Sequence, residues 1–287
     1  SVKVPQPPYT QGSQYQNIGS MESKGWEFEI GGDIIQNKEF TWTSNLNMSH
    51  TTGKILTLWG NNTYYNGNGF VAPGTPGDAA RIEEGSTIGS FYIWKFAGFD
   101  DDGNFLLYNQ DGEVIPAEKK TENDKQFMGN YTPKLILGWN NTFSYKNFDL
   151  GINMRSWIDF DVYNTINMYY GIQDRGNTNV LKEAYGKFNH IKGEKQICDY
   201  YLEDGTFLKI DAITLGYTLN MKKYTNNLVD RIRVYATVGN VCTITGYSGM
   251  NPEVNITGWD QGTEKFWDTG SFYPMVRTYT LGMQFNF

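Results

Sequence analysis

Apolar residues alternate with small, neutral polar residues along much of this chain, and this alternation constrains the fold more than any other feature. At the end of the chain, one set of alternate positions is apolar and the other is polar: Tyr279, Leu281, Met283, Phe285 and Phe287 against Thr278, Thr280, Gly282, Gln284 and Asn286. Successive side chains of a β-strand point to opposite faces, so a period of two predicts strands. Six earlier segments repeat the pattern, and the chain is therefore predicted to be all-β.

The composition of the polar face indicates which β architecture these strands build. A soluble sandwich usually presents many lysine and glutamate side chains to water on that face. Here the polar positions are mostly Gly, Thr, Asn and Gln; charged residues make up 19% of the chain, and aromatic residues reach 16%. A transmembrane barrel has this distribution: an apolar outer band, aromatic girdles near both interfaces and a polar lumen. The pattern predicts part of the wall of such a barrel.

Seven membrane-spanning strands follow from the alternation, at about 24–36, 38–53, 134–146, 147–161, 206–220, 230–242 and 277–287. Their connections alternate between short turns and long excursions over 54–133, 162–206 and 243–276. Outer-membrane barrels place short turns in the periplasm and long loops outside the cell. Residues 91–96 also read as a strand, but a spanning strand there would break the alternation. We therefore expect an extracellular hairpin inside the first excursion.

An odd number of strands has a consequence for the extent of the protein. Bacterial single-chain barrels have even strand numbers, and an open sheet would leave two edges without hydrogen-bond partners in lipid. The whole chain, 1–287, is therefore predicted to be the C-terminal portion of a larger barrel that pairs with upstream strands. A first residue of Ser1 rather than methionine fits a processed or partial chain.

Charge and hydropathy exclude several other classes of protein. The net charge is −7 and no run of lysine or arginine exceeds two residues, so nucleic acid is not an expected partner. No segment approaches the roughly 18 consecutive apolar residues that a membrane-spanning helix needs. The high aromatic content excludes a disordered chain.

Few residues suggest catalysis or metal binding. His50 and His190 are the only histidines and fall in separate segments, so neither a zinc site nor a Ser-His-Asp triad is predicted. Cys198 and Cys242 are expected at the extracellular ends of adjacent strands. The sequence does not bring their Cα atoms within the ~7 Å that a disulfide requires, so we predict two unpaired thiols. No catalytic residue, cofactor or metal is predicted.

Several motifs resemble those of TonB-dependent outer-membrane transporters. Asn17-Ile18-Gly19 followed by Lys24-Gly25-Trp26-Glu27 is similar to the start of a strand in that class. Four further motifs narrow the resemblance to the C-terminal third of the SusC/RagA family: Gly129-Asn130-Tyr131-Thr132-Pro133-Lys134, Asp204-Gly205-Thr206-Phe207-Leu208-Lys209-Ile210, Leu215-Gly216-Tyr217-Thr218-Leu219 and Tyr247-Ser248-Gly249-Met250-Asn251-Pro252-Glu253. Tyr273-Pro274 before a strand that ends in Phe287 also matches. One departure is Asn251, where that family typically has aspartate.

The resemblance implies a fold, a location and partners. Members of this family have a 22-stranded barrel with an N-terminal plug, in the outer membrane of Gram-negative bacteria of the Bacteroidetes type. They import glycans or oligopeptides with energy relayed by TonB, and a SusD-like surface lipoprotein captures the substrate. By this resemblance, the plug, the TonB box and the earlier strands belong to a region upstream of this chain.

Aromatic and acidic residues of the excursions are candidates for substrate contact. Aromatic rings stack on sugars, and carboxylates bind hydroxyl groups, so a glycan or peptide site could include these side chains. The candidates are Trp59, Tyr64, Tyr65, Trp157, Asp159, Asp161, Tyr169, Tyr170, Trp259 and Trp267. Alternatively, they pack the loops together, form the upper aromatic girdle or contact the lipoprotein.

Two further features carry specific expectations. Asp100, Asp102 and Asn104 begin like a calcium-binding loop, but an EF-hand needs glycine at its sixth position and glutamate at its twelfth. Phe105 and Asp111 occupy those positions, which favours a hairpin turn over a Ca²⁺ site. Phe287, a terminal aromatic residue on an alternating strand, is expected to act as the signal for outer-membrane assembly.

Two alternative functions remain open from the residues alone. A barrel enzyme would need a histidine near a serine and an acid at the barrel rim, and neither histidine is well placed. A secreted carbohydrate-binding β-protein would be soluble without detergent, whereas a barrel would not. Active import is the leading hypothesis.

Overall fold

The computed structural model describes residues 2–5, 13–17, 19–58, 64–66, 78–173, 179–226, 228–253 and 275–287. Within these residues, no helix combines the length and the apolar character needed to cross a membrane. The strands, in chain order, are β1 (Val2–Pro5), β2 (Ser13–Gln16), β3 (Gly19–Gln36), β4 (Phe40–Leu58), β5 (Tyr64–Asn66), β6 (Arg81–Glu83), β7 (Phe91–Trp94), β8 (Phe96–Phe99), β9 (Phe105–Tyr108), β10 (Val114–Pro116), β11 (Lys125–Met128), β12 (Leu135–Tyr145), β13 (Phe148–Ile158), β14 (Asp161–Tyr163), β15 (Leu202–Asp204), β16 (Phe207–Asn220), β17 (Arg231–Thr245) and β18 (Thr278–Asn286).

Helical structure is sparse. The one α-helix among the described residues is α1 (Thr165–Tyr170). Single turns of 3₁₀ helix occur at Ala117–Lys119, Glu122–Asp124, Lys182–Tyr185 and Asp199–Tyr201. The chain is therefore all-β, as the alternation predicted.

A seven-stranded antiparallel sheet forms the main body, in the order β18-β17-β16-β13-β12-β4-β3. These are the seven predicted strands, and each neighbour in the sheet is also the next long strand along the chain. β3 and β4 are longer than predicted, at 18 and 19 residues. Since a tilted membrane strand needs only about 9–11 residues, the paired ends around Gly19 and Leu58 extend well past a bilayer.

Register across the sheet separates an apolar face from a polar face. Leu150, Leu215, Ala236 and Leu281 align in one row, and the next positions along those strands, Gly151, Thr214, Thr237 and Thr280, align in a row on the other face. The apolar row is not covered by other parts of the described chain, and 53% of Leu215 and 85% of Leu281 are exposed. Such a face needs an apolar environment, which is what the outer wall of a membrane barrel has.

Aromatic residues gather at the short-turn end of the apolar face. Tyr145 aligns with Phe40 on one side and with Phe148 on the other, and Phe148 aligns with Tyr217. The Phe148 and Tyr217 ring centroids lie 4.7 Å apart. This row corresponds to the aromatic girdle expected at a membrane interface.

A glycine on the polar face makes room for an ion pair. Arg233 binds Asp149 across β16, with 2.9 Å between Nε and Oδ1. Gly216 lies beneath this contact, where a Cβ atom would come within 2.6 Å of Asp149 Oδ2 and 2.7 Å of Arg233 Nε. The glycine of the Leu215-Gly216-Tyr217 motif thus permits a cross-strand ion pair that any other residue would obstruct.

The first two excursions fold together into a layer with its own core, which we call the loop layer (the described residues of 78–131 and 160–205). Its core consists of buried residues from both excursions: Ala79, Phe91, Ile93, Trp94, Phe105, Leu107, Ala117, Tyr163, Met168, Tyr169, Ile172, Phe188, Ile191, Ile197, Cys198 and Tyr201. Hydrogen bonds also join the two excursions, among them Trp94 N to Ile197 O at 3.1 Å and Phe96 N to Asp199 Oδ1 at 2.6 Å.

The predicted strand at 91–96 lies inside the first excursion, but its pairing differs from the expected hairpin. β7 pairs with β11, about thirty residues further on, while Phe96 starts a separate hairpin formed by β8 and β9. The reason is burial: all four residues of β7 are buried, three of them in the loop core, and β11 is the strand that satisfies the β7 backbone there. A local pattern cannot identify such a distant partner.

The two cysteines lie in different environments and neither forms a disulfide. Cys198 is fully buried in the loop core, and this burial raises the pKa of its thiol. Cys242 lies on β17 and aligns with Ile210 of β16.

Candidate functional site

Two adjoining cavities lie where the second excursion meets the segment that follows β17. The first, of about 380 Å³, is lined by Asn167, Lys187, Phe188, Tyr200, Tyr201, Glu203, Asp204, Gly246 and Ser248; we call it the polar lobe. The second, of about 320 Å³, is lined by Asn164, Ile166, Asn167, Leu181, Glu183, Lys187, Phe188, Ser248, Gly249 and Met250; we call it the apolar lobe. Because four residues line both lobes, the two form one continuous groove.

Glu203 organises the floor of the groove. Its Oε1 accepts hydrogen bonds from Asn164 Nδ2 at 2.9 Å, Asn167 Nδ2 at 3.2 Å and Ser248 Oγ at 2.8 Å. Its Oε2 accepts from the Ser248 backbone N–H at 2.8 Å. One carboxylate therefore ties α1 of the second excursion to the segment after β17, and both walls of the groove are held to each other.

A buried charge cluster fixes the same segment to the sheet. Glu253 binds Lys209 of β16, with 2.7 Å between Nζ and Oε2, and Arg155 of β13, with 2.8 Å between Nη2 and Oε1. Only 2% of the Lys209 side chain and 6% of the Glu253 side chain are exposed. Asp211, the extra residue of a β-bulge, binds Arg155 Nε at 3.1 Å. Breaking one partner of a buried pair leaves an uncompensated charge, so this cluster holds the segment firmly.

This role of Glu253 was not evident from the sequence. The motif Tyr247–Glu253 was identified there only as a family resemblance. Lys209 and Arg155 are separated from Glu253 by long stretches of chain, and the one available signal was the presence of these two cations at polar positions of their strands.

Trp157 packs against a small, largely aromatic cluster next to the segment that follows β17. Its ring centroid is 5.8 Å from that of Phe160 and 5.5 Å from that of Phe207, and the cluster also includes Val162 and Tyr247. Trp157 therefore helps to pack the loops against the sheet.

The two predicted acids beside Trp157 differ in environment. Asp159 has a left-handed backbone (φ 59°), and its exposed carboxylate binds Lys134 with 2.7 Å between Nζ and Oδ2. Asp161 is half-buried, and its Oδ2 accepts the Asn130 backbone N–H at 2.8 Å. Burial raises the pKa of Asp161. Asp161 thereby joins the Gly129–Lys134 motif to the top of the sheet.

The predicted tyrosines are divided between the core and the surface. Tyr169 is 3% exposed in the loop core, and Tyr170 packs against that core. Tyr64 is 44% exposed and stacks on Arg81, whose guanidinium carbon lies 3.9 Å from the Tyr64 ring centroid and 3.8 Å from that of Tyr92. Trp59, Trp259 and Trp267 lie outside the described residues, as does the side chain of Tyr65.

The acidic stretch at Asp100 forms the turn of the β8–β9 hairpin, as expected. Asp100 accepts hydrogen bonds from Asn104 N at 2.7 Å, Asn104 Nδ2 at 3.0 Å and Asp102 N at 3.0 Å. These bonds lower the pKa of Asp100. Across the described residues, no group of three His, Cys, Asp or Glu side chains is arranged to hold a metal ion.

Taken together, a long antiparallel sheet with one apolar face, one polar face and a folded loop layer at one end defines a segment of a barrel wall.

Comparison with known proteins agrees with this class. No protein-family model matches the chain. TonB-dependent receptor P3 of Formosa agariphila is 29% identical over 96% of this chain and 30% of the receptor. TonB-dependent receptor SusC of Bacteroides thetaiotaomicron is 28% identical over 100% of this chain and 28% of the receptor.

Solved structures show the same fold. The RagAB peptide importer in its open-open state aligns with a TM-score of 0.73 at 24% identity, covering all of this chain and 31% of that one. Another structure of the RagAB peptide transporter gives a TM-score of 0.72 and covers 98% of this chain. The chain spans less than a third of the length of these relatives. The resemblance predicted from the motifs is confirmed: the chain is a SusC/RagA-like segment related to TonB-dependent receptors.

Proposed function

We propose that this chain is part of an outer-membrane receptor that imports an oligosaccharide or oligopeptide by TonB-dependent transport. The observation that carries the proposal is the combination of an uncovered apolar sheet face with a loop layer that has its own core at one end of the same sheet. The first feature suits insertion in a bilayer, and the second offers a binding surface above it. Similarity to receptors named as TonB-dependent supports the energy source.

The proposal includes the extent of the protein. Residues 1–287 form the C-terminal portion of a barrel of 22 strands in the outer membrane of a Gram-negative bacterium. β3 and β18 are the edges of the described sheet, and each pairs with a strand of the upstream region. That region also supplies the plug and the contact with TonB, while outer-membrane lipid surrounds the apolar face.

A SusD-like lipoprotein is the proposed surface partner. Support comes from the extended β3–β4 ribbon and the loop layer, which together form a large ordered platform at one end of the sheet. The similarity to SusC and to the RagAB transporter points in the same direction.

Substrate contact by the predicted loop residues is also part of the proposal. Tyr64 and Asp159 are exposed and accessible to a ligand. For Trp157, Asp161, Tyr169 and Tyr170, burial or packing supports a role in shaping the platform. Trp59, Tyr65, Trp259 and Trp267 are proposed on their aromatic character alone.

A barrel enzyme would need a catalytic histidine, and the contacts of the two histidines do not support that alternative. His50 contacts the Lys134 carbonyl oxygen, and the His190 ring packs edge-on against Phe99 with centroids 4.8 Å apart. The relatives named above are receptors and transporters, not enzymes.

Uptake in cells tests the proposal. The full-length receptor and its neighbouring lipoprotein should support growth on a limiting oligosaccharide or oligopeptide source, and deletion of TonB should abolish that growth. Affinity purification in detergent should recover the lipoprotein with the receptor. Growth that persists without TonB, together with a receptor that is soluble without detergent, would refute the proposal.

A further inference from the structure

We infer that the groove formed by the polar and apolar lobes binds an extended oligopeptide, with an apolar side chain in one lobe and a basic group in the other. This inference rests on the proposed import function and names the substrate class and the site. It concerns residues of the second excursion and of the segment after β17, none of which was a predicted contact.

The size and continuity of the groove suit a linear ligand. Each lobe, at about 380 and 320 Å³, lies within the range of roughly 300–1,000 Å³ typical of ligand sites. The lobes meet at Asn167, Lys187, Phe188 and Ser248. A chain molecule can therefore place successive groups in both lobes, whereas a compact ligand would fill only one.

The apolar lobe matches a hydrophobic side chain. Ile166, Leu181, Phe188 and Met250 contribute aliphatic or aromatic walls, and 58% of Met250 is exposed. Sugar hydroxyl groups that face these four residues gain no hydrogen bond from them, although Asn164, Asn167, Glu183, Lys187 and Ser248 supply polar atoms elsewhere in the lobe. A leucine-like side chain gains from burial against the four apolar residues.

The polar lobe matches a basic group. Glu203 is held in place by four donors and supplies a fixed negative charge. Asp204 accepts the Thr206 N–H at its Oδ1 with a distance of 2.8 Å. Within the part of the chain that the structure describes, its Oδ2 accepts no hydrogen bond, so it can bind an ammonium or guanidinium group.

Lys187 lines both lobes and lies between the proposed sites for the apolar side chain and the basic group. It is exposed at the junction of the lobes, with its Nζ 5.0 Å from the Phe188 ring centroid. Its ammonium group can donate to a peptide carbonyl as the backbone passes from one lobe to the other.

The aromatic residues of the polar lobe argue against a sugar-stacking platform. Sugars stack on open ring faces. Tyr200 is surrounded by other rings, with centroids 4.9 Å away for Phe96, 5.3 Å for Phe99 and 5.0 Å for Tyr201. Tyr200 is half-buried among these rings, so it does not offer an open ring face in the way that a sugar-stacking platform does.

A binding experiment on the full-length receptor with its lipoprotein tests the inference. The probe is a pool of synthetic heptapeptides in which one leucine and one lysine are separated by one to four alanines. A second pool has norleucine in place of lysine, and maltoheptaose serves as the neutral oligosaccharide. Asp204→Asn keeps the Oδ1 acceptor for Thr206 but removes the charge, and Asp101→Asn makes the same change in an exposed turn away from the groove.

We expect Asp204→Asn to weaken binding of the lysine pool about threefold to fivefold, the range of a partly exposed ion pair, and to leave the norleucine pool unchanged. Leu181→Asn should weaken both pools, and Asp101→Asn should affect neither. Equal binding of the lysine pool to the wild type and Asp204→Asn, or binding of maltoheptaose in preference to both pools, would overturn the inference.

The outcomes for the groove and for import are separable. If TonB-dependent uptake is observed but peptide binding is independent of Asp204 and Leu181, the groove inference fails and the proposed function stands. If no substrate is taken up in a TonB-dependent manner, the proposed function fails and the groove inference fails with it.

Discussion

Lys209 and Glu253 form an ion pair with both side chains almost completely removed from solvent. Lys209 belongs to the sheet, whereas Glu253 lies in the third excursion, beyond the end of β17 at Thr245. The pair therefore attaches the start of a long loop to the barrel wall, with Arg155 as a second cation on the same carboxylate.

Glu253→Gln should destabilise this attachment. The substitution leaves Lys209 buried beside a neutral amide, and loss of one partner of a buried pair costs about 3–5 kcal/mol. We expect a lower temperature for the heat-induced change in gel mobility of the folded receptor, and faster proteolysis after residue 246. Glu118→Gln, at an exposed position of the first excursion, is the matched control and should change neither. Unaltered proteolysis of Glu253→Gln would show that the cluster does not hold the loop.

Arginine substitutions test which face of the sheet meets lipid. Leu215→Arg places a charge on the apolar face and should cost about 2–4 kcal/mol, whereas Thr214→Arg on the polar face should cost far less. Folded yield in vesicles and the urea midpoint of unfolding measure the difference. Ile152→Arg and Val234→Arg should behave like Leu215→Arg, and Asn153→Arg should behave like Thr214→Arg, on the face where Arg233 already stands. Equal tolerance on both faces would contradict the assignment.

Two glycines of the polar face should respond differently to alanine. Gly216→Ala introduces a Cβ into the Asp149–Arg233 contact, whereas Gly151→Ala meets no atom within 4 Å. The atoms that the added methyl group would meet are the ends of the Asp149 and Arg233 side chains, which can move aside only by weakening their contact. Gly216→Ala should therefore lower the urea midpoint by an amount equivalent to about 1 kcal/mol or less, and Gly151→Ala should not. Asp149→Asn in the Gly216→Ala background should then add little, because the pair is already disturbed. A large additional loss would indicate that the pair survives the added methyl group.

Phe287 remains a predicted assembly signal. It follows β18 and is 85% exposed. Deletion of Phe287, or Phe287→Asp, should reduce the amount of folded receptor in the outer membrane, measured by heat-modifiable mobility in isolated membranes. Phe287→Tyr retains an aromatic ring and should be close to wild type. Normal insertion of Phe287→Asp would count against this role.

The cysteines should differ in reactivity. Burial in the loop core raises the pKa of the Cys198 thiol, so little thiolate is present and access is blocked. We expect a membrane-permeant maleimide to modify Cys242 first in the folded receptor, and both residues after denaturation. Mass spectrometry of the unreduced, alkylated protein should find no peptide pair linked through these thiols; a linked pair would disprove the assignment.

The sheet could be predicted because its determinants are local. Each long strand carries its own alternation, and the order of the strands follows from the short and long connections. All seven strands, from β3 to β18, were found this way within a few residues of their ends, except for the extension of β3 and β4. Family motifs supplied the class of protein independently of the pattern.

The loop layer could not be predicted because its determinants are distant in sequence. The sequence around an aromatic residue of an excursion does not reveal whether its side chain is exposed, as that of Tyr64 is, or buried, as that of Tyr169 is. Burial depends on contacts with residues far away in the sequence, as when Trp94 of the first excursion bonds to Ile197 of the second. The groove was missed for the same reason: its walls combine α1, Phe188 and Ser248, which are distant from one another in the sequence.

The core shared by the two excursions also imposes an order on assembly. Residues such as Phe91 and Tyr163 that fill it are separated by β12 and β13, and closing so long a loop in an unstructured chain costs entropy that few contacts repay. We therefore expect the core to form after β12 and β13 have paired and brought the two excursions to one end of the sheet. Until then these side chains are exposed to solvent, so a receptor whose strands insert slowly is vulnerable to aggregation and proteolysis at that stage.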